Sequence, residues 1–164
     1  QHPFDKPINF QKMYNAGIRF VLIKGSDTID SSDALAVKFL KQDWDAAQAV
    51  GMYTGFYHYA TLPDTTDKNV VIADAKAQAQ KVIWRLAGLG GYTDKNIPVA
   101  LDLENNCVRG TLAACKKYMS RKLITLWAVT FLDEVSAKTV RKPFRLPATI
   151  KPPKPANSAT CVNI

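Results

Sequence analysis

The chain has 164 residues, of which 47% are hydrophobic and 22% charged, with a formal net charge of +8. That length suits one domain with a sizeable core, and the composition excludes a disordered or fibrous protein. No apolar run approaches the roughly 20 residues of a membrane-spanning helix. The charge is unevenly placed: no acid follows Glu134, whereas Lys138, Arg141, Lys142, Arg145, Lys151 and Lys154 all do, and those bases account for most of the +8. The body before them is nearly balanced, so the excess reads as a solvated basic tail, and no nucleic-acid partner is expected. Cys107, Cys115 and Cys161 form no C-x-x-C pair and have no histidine at metal-ligand spacing, so neither a metal nor another cofactor is expected. Cys107 and Cys115 are placed to pair across a loop if the protein is exported. The chain opens on Gln1 with neither a methionine nor a basic-plus-apolar signal segment, which reads as a processed chain or a part of a longer one.

Taken in order, Phe10, Met13 and Tyr14 have helical spacing, and Gly17 stands where a helix-closing glycine belongs. Residues 19–25 (RFVLIKG) are a β-rich run and predict a buried strand. Ser26, Asp27 and Thr28 are expected in the loop after it, with Ser31 to Asp33 as further loop and capping residues. Residues 33–50 predict a helix with Leu40, Trp44, Ala47 and Val50 on one stripe and Gly51 as its stop. Residues 52–60 predict a second, aromatic-rich strand, and 63–67 a loop. Residues 69–86 carry the clearest helical pattern, with Val71, Ala75, Gln78, Val82 and Leu86 recurring on one face and Gly88 to Gly91 ending it. Residues 98–104 predict a third strand. A short helix is expected near residues 112–118, and a longer one over 123–137 with Leu123, Trp127, Phe131 and Val135 sharing a face. Lys142-Pro143-Phe144 reads as the opening of a fourth strand. Five of the nine prolines then fall between Pro143 and Pro155, and no apolar periodicity survives them. The expected organisation is a β/α domain over residues 1–142 and a basic, proline-rich tail over 143–164.

Strands alternating with helices predict βαβ units and a parallel sheet, hence an α/β fold. In such folds function gathers in the loops after the strands. Three polar clusters lie there: Lys24 to Asp27, Tyr57 to Tyr59, and Asp102 with Glu104. The sequence has no glycine-rich phosphate-binding motif, and neither histidine has a nucleophile-elbow serine to serve.

Asp102 and Glu104 are the sharpest signal. They end an apolar run, Pro98-Val99-Ala100-Leu101-Asp102-Leu103-Glu104. Strand alternation puts both on one face, roughly 6.5–7 Å apart along the chain, with Leu101 and Leu103 facing the helices. Two such carboxyls repel one another, which separates their pKa values and lets one act as an acid and the other as an anion. Glycoside hydrolysis uses that division. His58 alternates onto the helix side and reads as a hydrogen-bonded core residue. Lys24 reads as a balance for nearby acids, and Trp44, Trp84 and Trp127 as core.

Several pieces in register resemble the family-25 glycoside hydrolases, the Chalaropsis-type lysozymes: Ile8-Asn9-Phe10 with AGIRFVLIK at 16–24, AVGMYTGFYHY at 49–59, PVALDLE at 98–104, and Trp127 to Val135 followed by Arg141-Lys142-Pro143. The resemblance covers about residues 8–143. It implies a modified, TIM-barrel-like β/α barrel that cleaves the β-1,4 bond between N-acetylmuramic acid and N-acetylglucosamine in peptidoglycan. The protein would be secreted, or act on the cell wall as a phage lysis enzyme. By the resemblance Glu104 matches the general acid. Asp102 matches its partner carboxylate, which steers the substrate acetamido group or a water, and Tyr57 matches an aromatic lining the sugar site. Tyr59 shares that face by alternation, and Asp27 stands where the family often has a glutamate. The family's first strand, with an Asp-Val-Ser motif, is expected just before Gln1, and the strands that close the barrel are expected beyond Pro143, where the basic tail stands. The barrel is therefore expected to be incomplete. The alternative reading is a catalytically silent barrel remnant that binds glycan or serves as a structural module.

Overall fold

The computed structural model describes residues 8–110 and 115–139. Its elements are α1 (Phe10–Asn15), β1 (Phe20–Asp27), α2 (Asp30–Ala49), β2 (Tyr53–Tyr59), α3 (Lys68–Gly88), β3 (Ala100–Asp102) and α4 (Arg121–Lys138). The strands form a three-stranded sheet in the order β1-β2-β3, with both pairs parallel. This is the expected α/β alternation.

Three helix starts and two helix ends follow from local chemistry. The side chains of Asn9, Asp67 and Ser120 accept hydrogen bonds from backbone N–H groups in the first turns of α1, α3 and α4, which otherwise have no partner. Gly17 and Gly51 follow α1 and α2 with φ of +96° and +89°, a conformation that costs glycine nothing. The buried residues of α3 are Val71, Ala75, Gln78, Ala79, Val82 and Leu86, the face its pattern predicts.

Helices α2, α3 and α4 cover one face of the sheet. The core there joins Leu40 and Trp44 of α2, Phe56 of β2, Val71 to Leu86 of α3, and Ile124, Trp127, Phe131 and Val135 of α4, with Leu101 and Leu103 packed against it. A smaller cluster of Phe10, Ala47 and Met52 seals the end near α1. No helix among the described residues covers the opposite face. Along it, Phe20 and Tyr53 are 62% and 52% exposed.

Several boundaries differ from the expectation. Ser26 and Asp27 lie within β1, not in a loop, because Gly25 is an extra residue in the ladder: Lys24 pairs with Tyr57, but the next pair is Ser26 with His58. This β-bulge reverses the facing of everything after it. Helix α2 starts at Asp30, so Ser31 to Asp33 form its first turn and are not loop residues. Strand β3 is shorter than the predicted 98–104. Its ladder with β2 stops at Tyr59 opposite Asp102, closed by the Ala60 N–H to Asp102 C=O bond at 2.9 Å, so Glu104 has no strand to pair with. Residues 116–118 are not helical, and Tyr118 is bridged antiparallel to Cys107. Trp84 is not in the core; it is 68% exposed on the outer side of α3. The expected fourth strand at 142–144, the tail over 143–164 and the start of the short helix near 112 lie outside the described residues.

Candidate active site

The open face changes character along the strands. At the amino ends it is apolar: a Cβ on Gly55 would run into Leu22 and Ile97, so their side chains meet over that glycine. At the carboxyl ends it is polar, and Lys24, Asp27, Tyr57, Tyr59, Asp102 and Glu104 come together there.

The bulge at Gly25 makes this cluster possible. Without it, Asp27, three residues on from Lys24, would have the opposite pleat parity and face the helices. With it, Asp27 pairs with Tyr59 on the open side, and its carboxylate meets Lys24 Nζ at 2.6 Å. Asp27 is 2% exposed, and its other oxygen accepts from the Ile29 N–H at 2.8 Å. The carbonyl of Gly25 accepts from Arg85 Nε at 3.1 Å, and the same guanidinium pairs with Asp33 at 2.7 Å. Helices α2 and α3 are thereby tied to the strand at the point where it departs from regular pairing. Lys24 Nζ also sits 5.1 Å from the centre of the Tyr59 ring, within range of a cation–π attraction.

Tyr57 and Tyr59 are half-buried on β2, one pleat apart. Burial and then the charges of Asp102, Glu104 and Asp27 push the Tyr57 phenol above its ordinary range. Burial, then Glu104, Asp102 and Asp27 do the same for Tyr59. Both therefore remain neutral hydroxyls, able to donate and accept hydrogen bonds. The Asp102 carboxyl is pushed up by burial first and by Glu104 second, while Lys24 pulls it down. Asp102 ends β3 half-buried, and Glu104 is exposed two residues on, beyond the strand. Leu103 between them packs on the helix side, so the two acids share the open side. The alternation argument reached the right face, although only Asp102 owes its orientation to a strand.

The segment after Glu104 is fastened at several points. Asn105 Oδ1 accepts from the Cys107 N–H at 3.0 Å, the Met119 N–H donates to the Asn106 carbonyl at 2.9 Å, and Val108 bridges Leu62 in parallel. Cys107 and Cys115 are joined by a disulfide, the pairing the sequence left conditional on export.

A second polar group lies on the covered side: the sequence predicts His58 there, but not its link through Ser26, Gln78 and Asp74. His58 is fully buried; its Nδ1 is 2.7 Å from Ser26 Oγ and its Nε2 is 2.9 Å from Gln78 Oε1. Gln78 Nε2 donates to Asp74 Oδ2 at 2.7 Å and to the Thr61 carbonyl at 3.1 Å, which fixes the orientation of the amide. His58 must then donate from Nε2 and accept from Ser26 at Nδ1, as a neutral ring. Burial pushes its pKa below the ordinary imidazole range, against the pull of the Gln78 bond and the nearby acids. Asp74 also accepts from Trp127 Nε1 and Arg109 Nη2, each at 2.8 Å. His58 is thus the hydrogen-bonded core residue its pleat parity predicts. A glycine inside a strand pattern, followed by Ser-Asp, was the available signal for the bulge that brings Ser26 to it.

Acids and tyrosines gathered at the carboxyl ends of parallel strands define the class: an α/β protein with a polar cluster at the strand ends of its sheet. Residues 2–145 match the sequence profile of the glycosyl hydrolases family 25. The chain is similar to an N,O-diacetylmuramidase of Chalaropsis sp, 31% identical over 144 residues that make up 85% of this chain and 60% of that protein. It is also similar to an N,O-diacetylmuramidase of Arthroderma benhamiae, 32% identical over 141 residues, 83% of this chain and 50% of that protein. Its fold resembles the crystal structure of the bacterial lysozyme from Streptomyces coelicolor, with a TM-score of 0.58 and 21% identity over 85% of this chain and 57% of that one. The chain belongs to glycosyl hydrolase family 25. It spans 50–60% of the length of the two muramidases it matches.

Proposed function

We propose that this chain acts as a peptidoglycan hydrolase, an N-acetylmuramidase that cleaves the β-1,4 bond between N-acetylmuramic acid and N-acetylglucosamine. The observation that carries the reading is the pair of acids on the uncovered side of the sheet, beside two neutral tyrosines. Glu104, on the exposed segment, delivers a proton to the glycosidic oxygen as the bond to the anomeric carbon breaks. Asp102 supports the electron-poor anomeric carbon as an anion, by steering either the acetamido group or the attacking water. Water supplies the hydroxyl of the new reducing end, and its remaining proton returns to Glu104. Asp102 has to be ionised for this, against its burial, and Lys24 is the group that favours its ionisation. Tyr57 and Tyr59 line the sugar site, and Lys24 with Asp27 form its edge.

The finer fold that goes with this reading is a modified, incomplete β/α barrel, in which the apolar stretch at Phe20, Leu22 and Tyr53 belongs to the barrel interior. The partner is the glycan strand of peptidoglycan. The Cys107–Cys115 disulfide supports a place of action outside the cytoplasm, where such bonds persist, for a secreted enzyme or a lysis enzyme delivered to the wall.

The test is clearing of a suspension of muramic-acid-containing cell walls. The chain is expected to clear it, and Glu104→Gln to slow clearing by about 10²–10⁴-fold with an unchanged melting temperature, since the side chain is exposed. Saccharide binding without turnover in the unsubstituted chain would support the silent-module reading instead.

A further inference from the structure

Trp84 is the anomaly of the helix layer. Helix α3 buries Val71, Ala75, Gln78, Ala79, Val82 and Leu86. Trp84 lies between Val82 and Leu86 in sequence and therefore on the outer side, and it is 68% exposed. It borders a groove of about 200 Å³ between α2 and α3, lined by Val37, Leu40, Lys41, Arg85, Gly88 and Leu89 as well as the indole. A Cβ placed on Gly88 would meet nothing within 4 Å, so the groove is open at that end. It lies on the helix side of the sheet, away from the acids.

We propose that Trp84 and this groove form a second glycan-binding site, which holds a peptidoglycan strand while the acids act elsewhere on it. The proposal rests on the peptidoglycan reading above. The face of an indole is electron-rich and attracts the polarised C–H bonds on the flat side of a pyranose ring. Among the described residues both charged groups lining the groove, Lys41 and Arg85, are cations, and no carboxylate lines it. Arg85 is already held by Asp33 and the Gly25 carbonyl and serves as a fixed wall. Among the described residues Lys41 pairs with Asp45, and both partners of that pair are largely exposed, at 70% and 58%. Such a pair is weak, so the ammonium is available to an incoming carboxylate. A peptidoglycan strand presents both groups: the apolar faces of its pyranose rings and, on the stem peptides amide-linked to the lactyl groups, free carboxylates. A protein partner fits less well. Stable interfaces cover about 800 Å² per side, whereas the exposed apolar residues lining this groove are Trp84 and Val37.

The experiment is cosedimentation with insoluble peptidoglycan, on a Glu104→Gln background so that the walls survive. Adding Trp84→Ala is expected to weaken binding about two- to tenfold, and adding Lys41→Gln to reduce its salt sensitivity. In the active chain, Trp84→Ala is expected to leave turnover of short soluble glycan fragments unchanged while slowing clearing of whole walls. Equal wall binding with and without Trp84 overturns the proposal. So does a result in which Trp84→Ala alters only self-association in sedimentation equilibrium, which would mark the groove as a contact between copies. If the chain binds walls through Trp84 but never cleaves them, the site stands and the muramidase reading falls. If the chain does not bind walls at all, both fall.

Discussion

Strand β2 presents two kinds of surface from one backbone. Thr54, Phe56 and His58 face the helices and are fully buried, and the polar atoms of Thr54 and His58 meet Gln48, Asn96, Ser26 and Gln78. Tyr53, Tyr57 and Tyr59, displaced by one residue, face the open side and keep contact with solvent. The covered face follows the rule that buried polar groups are paired. On the open face burial and then the neighbouring Glu104 raise the pKa of Asp102, which costs stability. Substitutions on the two faces should therefore fail differently.

The largest stability loss is expected on the covered face at Phe131. Its fully buried ring stacks on His58 at 5.3 Å and on Trp127 at 5.4 Å. Phe131→Ala should cost about 3–5 kcal/mol in urea unfolding. A loss below about 1 kcal/mol would mean that the covered face is not the stabilising one.

Gly25→Ala joins the two faces and should come next. A Cβ there would overlap the buried ring of Phe56, so overpacking should cost about 1–3 kcal/mol. The same substitution displaces the bulge that turns Asp27 toward Lys24, so wall clearing should fall by more than the unfolding data account for. Clearing that tracks the folded fraction alone would separate the bulge from the site.

The smallest effect has the opposite sign. Burial and Glu104 raise the pKa of Asp102 in the folded chain, so its ionised form weakens the fold above that raised pKa, and the penalty is absent below the ordinary aspartate range. Asp102→Asn should therefore raise the melting temperature slightly at neutral pH, with the difference shrinking as the pH is lowered through that range. The same variant should lose wall clearing. A lower melting temperature at pH 7 would place Asp102 with the stabilising residues.

Much of this division was legible in the sequence, because period-two and period-3.6 patterns report which side of an element is buried. The stripe from Val71 to Leu86, the inward turn of His58 and the shared side of Asp102 and Glu104 all follow from those periods. The illegible parts depend on contacts between distant segments. The bulge exists because β1 must take in an extra residue against β2, and its sign is a single glycine in an otherwise ordinary strand. Strand β3 ends early because β2 ends, which no property of residues 98–104 reveals. Trp84 is as apolar as a core residue, but α3 turns its Val71-to-Leu86 face inward and leaves the indole outside. The partnership of Asp74, Gln78, Trp127 and Arg109 joins α3, α4 and a loop, and no local pattern marks it.

The most direct test of the acid pair on the open face is the chemistry of the ends it creates. Peptidoglycan digested by the chain, then reduced with borohydride and hydrolysed, should yield muramitol in proportion to the bonds cut, and the Glu104→Gln digest should yield none above background. Glucosaminitol as the reduced sugar, or muramitol released equally by Glu104→Gln, would contradict it.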